Sequence, residues 1–310
     1  MRIAVIGGNG QVGSYLLPML VREGHDVICV SRGMSGYARV TPELDEVREV
    51  RLRRGDVGFE QGVGALCPDV VVDVVCFTRE EAEAMVRVLR PDKTHYVAVG
   101  SIWIHGRASC VPMNEDECRT PLDEYGRGKL ELTDYLMGLG ADGGFPATVV
   151  HPGHIVAPGV SSIVGPQANR DMRVIEALRD GRQVVLPNLG LETLHHVHAA
   201  DVAGVIDAAI RTGEPAFGQE YHAVSRRAMT LVGLAEGVAE LFGRRANLRF
   251  LPFDQFAREV GDENAACTLE HISHSPSCSP AKAERELGYL TGTAMEAIEE
   301  HLRALGMLGA

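Results

Sequence analysis

A doubly wound parallel α/β sheet with a smaller α/β region toward the C-terminus is the architecture this sequence predicts, on three observations. Short β-branched apolar runs alternate with helix-period segments through the first half of the chain. The run Asp-Val-Val-Val-Asp-Val-Val-Cys at 69–76 is apolar on both faces apart from Asp73, as a strand covered by helices on both sides must be. The opening unit reads strand, glycine-rich turn, helix. On this reading residues 1–155 form a dinucleotide-binding domain, rejoined by about 184–212, and 156–310 are mainly a substrate-binding region.

The first strand spans 2–6 and runs into Gly7-Gly8-Asn9-Gly10-Gln11-Val12-Gly13. Gly7 permits a tight turn, Gly10 lets backbone approach a pyrophosphate, and Gly13 lets the following helix pack closely. The phosphates would sit on the helix N-terminus, beside the N–H groups of Asn9, Gln11 and Val12. Val12, Tyr15, Leu16, Met19 and Leu20 carry the apolar stripe of that helix, Gly24 closes it, and Pro18 is expected to kink it without breaking it.

The second strand, 27–30, ends in Ser31-Arg32-Gly33. An NAD enzyme usually places a carboxylate about here for the ribose hydroxyls. A hydroxyl and a guanidinium suit a 2′-phosphate instead, so NADP is expected in preference to NAD. Further strands are expected at 48–52, 69–76 and 96–100, with a helix at 80–89 stopped by Pro91. The fifth strand delivers Ser101 to the carboxyl edge of the sheet, where ligands gather.

Tyr125-Gly126-Arg127-Gly128-Lys129 opens the next helix, and its Tyr and Lys share one face. An ammonium near the phenol would lower the phenol pKa and make Tyr125 a usable acid/base, with Ser101 holding the substrate oxygen in line. A sixth strand at 147–151 precedes Pro152-Gly153-His154. Beyond it come a loop at 159–167, helices at 171–179, 202–210, 231–242, 281–287 and 294–305, and short strands at 184–186 and 220–224.

Taken together these residues resemble the extended short-chain dehydrogenase/reductase family, the NAD(P)-dependent epimerase/dehydratase group, nearly end to end. Gly7, Gly10 and Gly13 match its cofactor turn, and Gly55-Asp56 matches its adenine-contacting Gly-Asp, with Val57 beside it. Ser101, Tyr125 and Lys129 match its catalytic triad; Pro152 and His154 match its cofactor-contacting loop; His198 and Asp201 match its later His-x-x-Asp motif; and 283–289 matches its C-terminal Leu-Gly-Trp signature. The resemblance implies a Rossmann domain, hydride transfer with Tyr125 as acid/base, and a homodimer formed through the helix carrying Tyr125 and its neighbour. On family frequency it implies epimerisation at a sugar or sugar-nucleotide hydroxyl, with net NADP-dependent oxidoreduction close behind.

Departures narrow the chemistry. Dehydratases of the family carry Asp-Glu after the catalytic hydroxyl residue, whereas Ile102-Trp103 stands here. Sugar-nucleotide epimerases carry a diphosphate-clamping Arg seven residues before the position of Asp201, and that position is Leu194. The segment 73–83 is similar to an atypical branch that includes plastid RNA-associated relatives, which leaves a non-catalytic nucleotide- or RNA-binding role as the third reading.

Composition constrains partners. A formal net charge of -12 with no Lys/Arg block argues against nucleic acid and anionic membranes. No apolar run reaches membrane-spanning length, the start of the chain lacks the pattern of a secretory signal, and seven cysteines without a C-x-x-C pair suit a reducing cytoplasm. Two sets of residues invite a metal reading: His195-His196-x-His198, and Cys267, His271, His274 and Cys278. Neither has a familiar ligand spacing, so no metal is assigned. His195 and His196 are expected to line the substrate pocket with His154 and Trp103, and 267–278 is expected to be an irregular loop over it.

Overall fold

The computed structural model describes residues 1–33, 39–117, 119–141 and 144–309. In chain order the elements are β1 (Arg2–Ile6), α1 (Gly13–Arg22), β2 (Asp26–Ser31), β3 (Arg48–Arg51), α2 (Phe59–Ala65), β4 (Val70–Asp73), α3 (Arg79–Val86) and β5 (His95–Val99). A 3-10 turn at Ile102–His105 follows, then α4 (Glu124–Ala141), β6 (Ala147–Pro152), β7 (His154–Val156), α5 (Met172–Arg179), β8 (Gln183–Pro187), β9 (Thr193–Leu194) and β10 (His196–His198). The chain continues through α6 (Ala199–Thr212), β11 (Gln219–Ala223), β12 (Met229–Thr230), α7 (Leu231–Leu241), β13 (Asn247–Leu251), α8 (Phe253–Val260), α9 (Asp262–His274), α10 (Ala281–Leu287) and α11 (Ala294–Ala304).

Seven strands make one parallel sheet in the order β11-β6-β5-β4-β1-β2-β3. The chain winds outward from β1 through β2 and β3, then restarts at β4 on the other side and winds the opposite way. The carboxyl ends of β1 and β4 therefore flank the crevice where such sheets bind ligands. All four residues of β4 are buried, Asp73 included, which agrees with the unbroken apolar run in the sequence. One face of the sheet buries Leu16, Leu20, Val205 and Ile206 from α1 and α6; the other buries Phe59, Met85, Leu132 and Leu136 from α2, α3 and α4. A third cluster joins Ile175, Leu186, Leu234 and Ile298 in the C-terminal region.

Two expectations need correction. The seventh strand of the large sheet is β11, at 219–223, beyond the segment 184–212 expected to rejoin it. Within that segment β8 pairs instead with β13 in a small separate sheet, and α6 is the part that packs on the large domain, against α1. The expected irregular loop at 267–278 is helical as far as His274. Ala265, Thr268 and Ile272 bury one stripe of α9, and the Ser-Pro pair ends the helix, with Ser275 at φ 42°. Pro18 does not break α1, which runs through it from Gly13 to Arg22.

Candidate active site

Two adjoining cavities open at the carboxyl edge of the sheet. The first, about 600 Å³, is floored by the glycine-rich turn. Gly7 takes φ +80°, and a Cβ there would stand 2.9 Å from a methyl of Val75. At Gly13 a Cβ would lie 2.2 Å from the carbonyl oxygen of Gly8, so only glycine lets α1 approach this closely. Gly7, Asn9, Gly10, Ser31 and Arg32 all line this cavity, together with Arg53 and Arg54. Val12 is turned into the core at 2% exposure, which leaves only its backbone to face a ligand.

Asp56 and Val57 do not line either cavity; both are exposed. The glycines at 55 and 58, both at positive φ, loop this segment outward, and Arg54 occupies the inner position instead. Its guanidinium pairs with buried Asp73 and lies over the Phe59 ring, 4.9 Å from the centroid. Asp73 also accepts the Tyr96 hydroxyl at 2.9 Å and the Val75 N–H at 3.2 Å.

The second cavity, about 480 Å³, holds Gln11, Ser101, Trp103, Tyr125, Pro152 and His154. Ser101 leaves β5 and accepts the Trp103 N–H at 3.2 Å on its hydroxyl, while its own N–H donates to Nδ1 of His151 at 3.1 Å. Tyr125 sits at the first turn of α4 with its phenol toward Ser101. Desolvation pushes the Tyr125 pKa up, the Ser101 hydroxyl pulls it down, and the carboxylate of Asp123 adds to the rise.

Lys129 is held differently from the sequence expectation. Its ammonium donates to the carbonyl oxygens of Cys76 at 2.6 Å and Val99 at 2.7 Å, and stands 5.8 Å from the centre of the Tyr125 ring. Burial brings its pKa down to about 8. The expected lowering of the Tyr125 pKa by Lys129 is therefore absent from this arrangement; the lysine instead ties together the ends of β4 and β5 beneath the phenol.

The second cavity is aromatic and rich in imidazole. Trp103 stacks on His274, with centroids 4.1 Å apart, and presents its edge or face to Tyr125, His154 and His271. His154 lines the cavity with its Nε2 shielded and without a hydrogen bond, and His196 lines it with Nε2 2.8 Å from the Val164 carbonyl. Burial brings the His196 pKa down to about 4 and holds His154 well below the usual imidazole range, so both rings are neutral at pH 7.

His195 is a correction: it does not reach the cavity. Its Nε2 faces the Ser225 carbonyl at 2.8 Å, and its Nδ1 accepts the Cys278 N–H at 3.1 Å. Successive side chains along extended backbone point to opposite sides, so His195 and His196 cannot share a pocket.

Sequence reasoning missed Arg170 and Glu270, which line the second cavity, and placed Cys267 and His271 only in a loop over it. Positions 267, 270, 271 and 274 lie on one face at helical spacing, a signal hidden by reading the segment as irregular. Among the described residues, neither histidine and cysteine set singled out by spacing gathers as a metal ligand group.

Comparison with known proteins adds the following. The model of the family described as NAD dependent epimerase/dehydratase family matches residues 3–222. A 2'-dehydrokanamycin reductase of Streptomyces kanamyceticus is 30% identical over 263 residues, covering 84% of this chain and 72% of the relative. The chloroplast stem-loop binding protein of 41 kDa b of Arabidopsis thaliana is 25% identical over 252 residues, covering 78% and 63%. Among solved structures, a UDP-N-acetylglucosamine 4-epimerase from Bacillus cereus superposes with a TM-score of 0.72 over 100% of both chains, at 16% identity. No helix among the described residues is long and apolar enough to cross a membrane.

Proposed function

The chain belongs to the NAD dependent epimerase/dehydratase family, and from that membership we propose that it catalyses net NADP-dependent oxidoreduction between a hydroxyl and a ketone on a small sugar-like molecule. The observation that carries this reading is the polarity of the substrate cavity. A nucleoside diphosphate seeks cations. Arg170 is the one Lys or Arg among the lining residues, and Glu270 lines the same cavity. The remaining polar side chains are imidazoles, hydroxyls, the Gln11 amide and the Cys267 thiol, all uncharged, which suit the hydroxyls of a polyol or cyclitol. Leu194, at the position of the family's diphosphate-clamping Arg, is fully buried and paired with Met229. The name of the Streptomyces kanamyceticus relative, a reductase, points the same way.

The glycine turn fits a dinucleotide, since a Cβ at Gly13 would meet the Gly8 carbonyl and push α1 away from the turn whose N–H groups would face the pyrophosphate. A bound nicotinamide would supply or accept the hydride. Tyr125 gives the substrate oxygen its proton as a ketone becomes an alcohol, and takes it back in reverse. Ser101 holds that oxygen in line. Lys129, anchored on the carbonyls of Cys76 and Val99, fixes the floor of the site. In the reductive direction one NADPH and one proton are consumed per alcohol formed.

The test is stoichiometry. Purified protein given NADPH and a keto-sugar or keto-cyclitol is expected to oxidise one equivalent of NADPH per alcohol formed. Protein that keeps about one equivalent of cofactor through desalting, and inverts a carbinol without net NADPH loss, is an epimerase and the proposal fails.

Arg32 supplies a second test, of cofactor choice. With Ser31 it faces the first cavity, where a charged hydrogen bond to phosphate contributes about 1.5–3 kcal/mol. Arg32→Ala is expected to weaken NADPH binding about 10–100-fold, with NADH affinity changed by less than about twofold. Equal NADPH affinity in wild type and variant would show that Arg32 does not read the 2′-phosphate.

A further inference from the structure

His151 lies near the end of β6, fully buried, and lines neither cavity of the active site. Its ring occupies space that only a glycine on the neighbouring strand leaves open: a Cβ at Gly100 would stand 2.3 Å from the His151 Nδ1. Gly100 still donates its N–H to a backbone carbonyl of β6, that of Val150, at 2.7 Å. The next N–H, that of Ser101, goes to the His151 imidazole instead.

The partners of the ring fix its state. A backbone N–H only donates, and that of Ser101 meets Nδ1 at 3.1 Å. Nδ1 is therefore the unprotonated nitrogen, and the ring proton sits on Nε2. Nε2 donates to one oxygen of Glu220, on β11, at 2.9 Å. The other Glu220 oxygen pairs with the Arg119 guanidinium, which also donates to the Glu115 carbonyl and to Asp134, each at 3.0 Å. Donor and acceptor thus match at every step from Arg119 through Glu220 and His151 to Ser101.

Ser101 is held at two points. Its N–H ends on His151, and its hydroxyl oxygen accepts the Trp103 N–H at 3.2 Å. The hydroxyl hydrogen is left to serve the Tyr125 phenol or a substrate oxygen. We propose that His151 is a positioning residue, which sets where Ser101 leaves β5 by accepting its N–H, and that Glu220 keeps the accepting nitrogen of the ring turned toward Ser101. This role rests on the placement of Ser101 at the substrate oxygen in the proposed reaction. Without the acceptor, the Ser101 N–H would seek another partner and carry the hydroxyl with it, and a shift of about 1 Å at a reacting group can cost about 10²-fold in rate.

A residue that merely filled space would be replaced better by an apolar side chain of similar size than by a smaller polar one. Positioning predicts the reverse order. His151→Asn sets an amide oxygen near the place of Nδ1, whereas His151→Leu keeps more volume and offers no acceptor. In full-length protein, checked for folding by circular dichroism, His151→Asn is expected to keep kcat within about fivefold of wild type, and His151→Leu to lose about 10–100-fold. NADPH affinity should change by less than about twofold in both, because the ring lies outside the first cavity. Amide hydrogen exchange at Ser101, followed by NMR, reads the hydrogen bond without turnover. It should be slow in wild type and His151→Asn, and at least about tenfold faster in His151→Leu.

Glu220→Gln gives a second variant that leaves the imidazole in place. Arg119 still demands an oxygen, so the amide nitrogen turns to Nε2 and drives the ring proton to Nδ1, against the Ser101 N–H. Exchange at Ser101 should rise as in His151→Leu. A His151→Leu variant with kcat equal to or above that of His151→Asn overturns the positioning role, and so does Ser101 exchange that stays equally slow in every folded variant. NADPH stoichiometry judges the reductase reading separately. If wild type proves to be an epimerase, the same variants are ranked on inversion rate, and the exchange readout stands unchanged.

Discussion

Tyr125→Phe is expected to lower kcat by about 10²–10⁴-fold, the usual contribution of a positioned proton carrier, with NADPH affinity changed by less than about twofold. The variant removes one hydroxyl and keeps the ring that packs edge-on against Trp103, with centroids 6.0 Å apart. Loss should therefore appear in kcat and kcat/KM together, the pattern of an interaction made in the transition state. Steady-state kinetics with fluorescence titration of NADPH checks it. A variant that retains more than about a tenth of wild-type kcat would remove Tyr125 from the proton path and direct attention to the imidazoles of the second cavity.

The largest expected change in stability comes from Asp73→Ala. Asp73 is fully buried, and its partner Arg54 has a side chain only 13% exposed. Removing the carboxylate leaves a guanidinium with its principal charge partner gone, and strands the Tyr96 hydroxyl and the Val75 N–H. Breaking one side of such a pair costs about 3–5 kcal/mol. Urea unfolding followed by circular dichroism should show the midpoint falling by the corresponding amount. The double variant Asp73→Ala/Arg54→Leu should recover much of the loss, because the unpaired charge is gone. A single variant that costs less than about 1 kcal/mol would mean that water reaches Arg54 freely and the pair is not a buried one.

The parts of this fold legible in the sequence are those fixed by local pattern. β-Branched runs mark β1, β2, β4 and β5, and the spacing of Gly7, Gly10 and Gly13 marks a turn that demands glycine at Gly7 and Gly13. Tyr125 and Lys129 are one helical turn apart, and that is legible too. The direction taken by the Lys129 ammonium is not, because the carbonyls of Cys76 and Val99 that capture it lie far away in the chain. The same holds for sheet membership. Residues 184–186 and 220–224 both read as short strands, yet one pairs with β13 and the other with β6.

The histidines show the same limit from another side. Spacing drew attention to clusters along the chain, at 195–198 and 267–278. Among the described residues, the group that gathers joins positions 105, 222 and 278, which no window of sequence brings together. Asp56 illustrates the converse: a motif in the expected place, whose side chain the flanking glycines carry outward, while Arg54 takes the interior.

The helix α9 brings Cys267, Glu270 and His271 to the second cavity without contributing to the cavity floored by the glycine turn. This division has an evolutionary consequence. On the proposed reaction, single substitutions along one face of α9 after gene duplication would alter which molecule is accepted and leave the glycine turn untouched in both descendants. Lineages diverging from such an ancestor would differ most at positions 267, 270 and 271 and least at 7, 10 and 13, and new specificities would arise without an intermediate that has lost its cofactor.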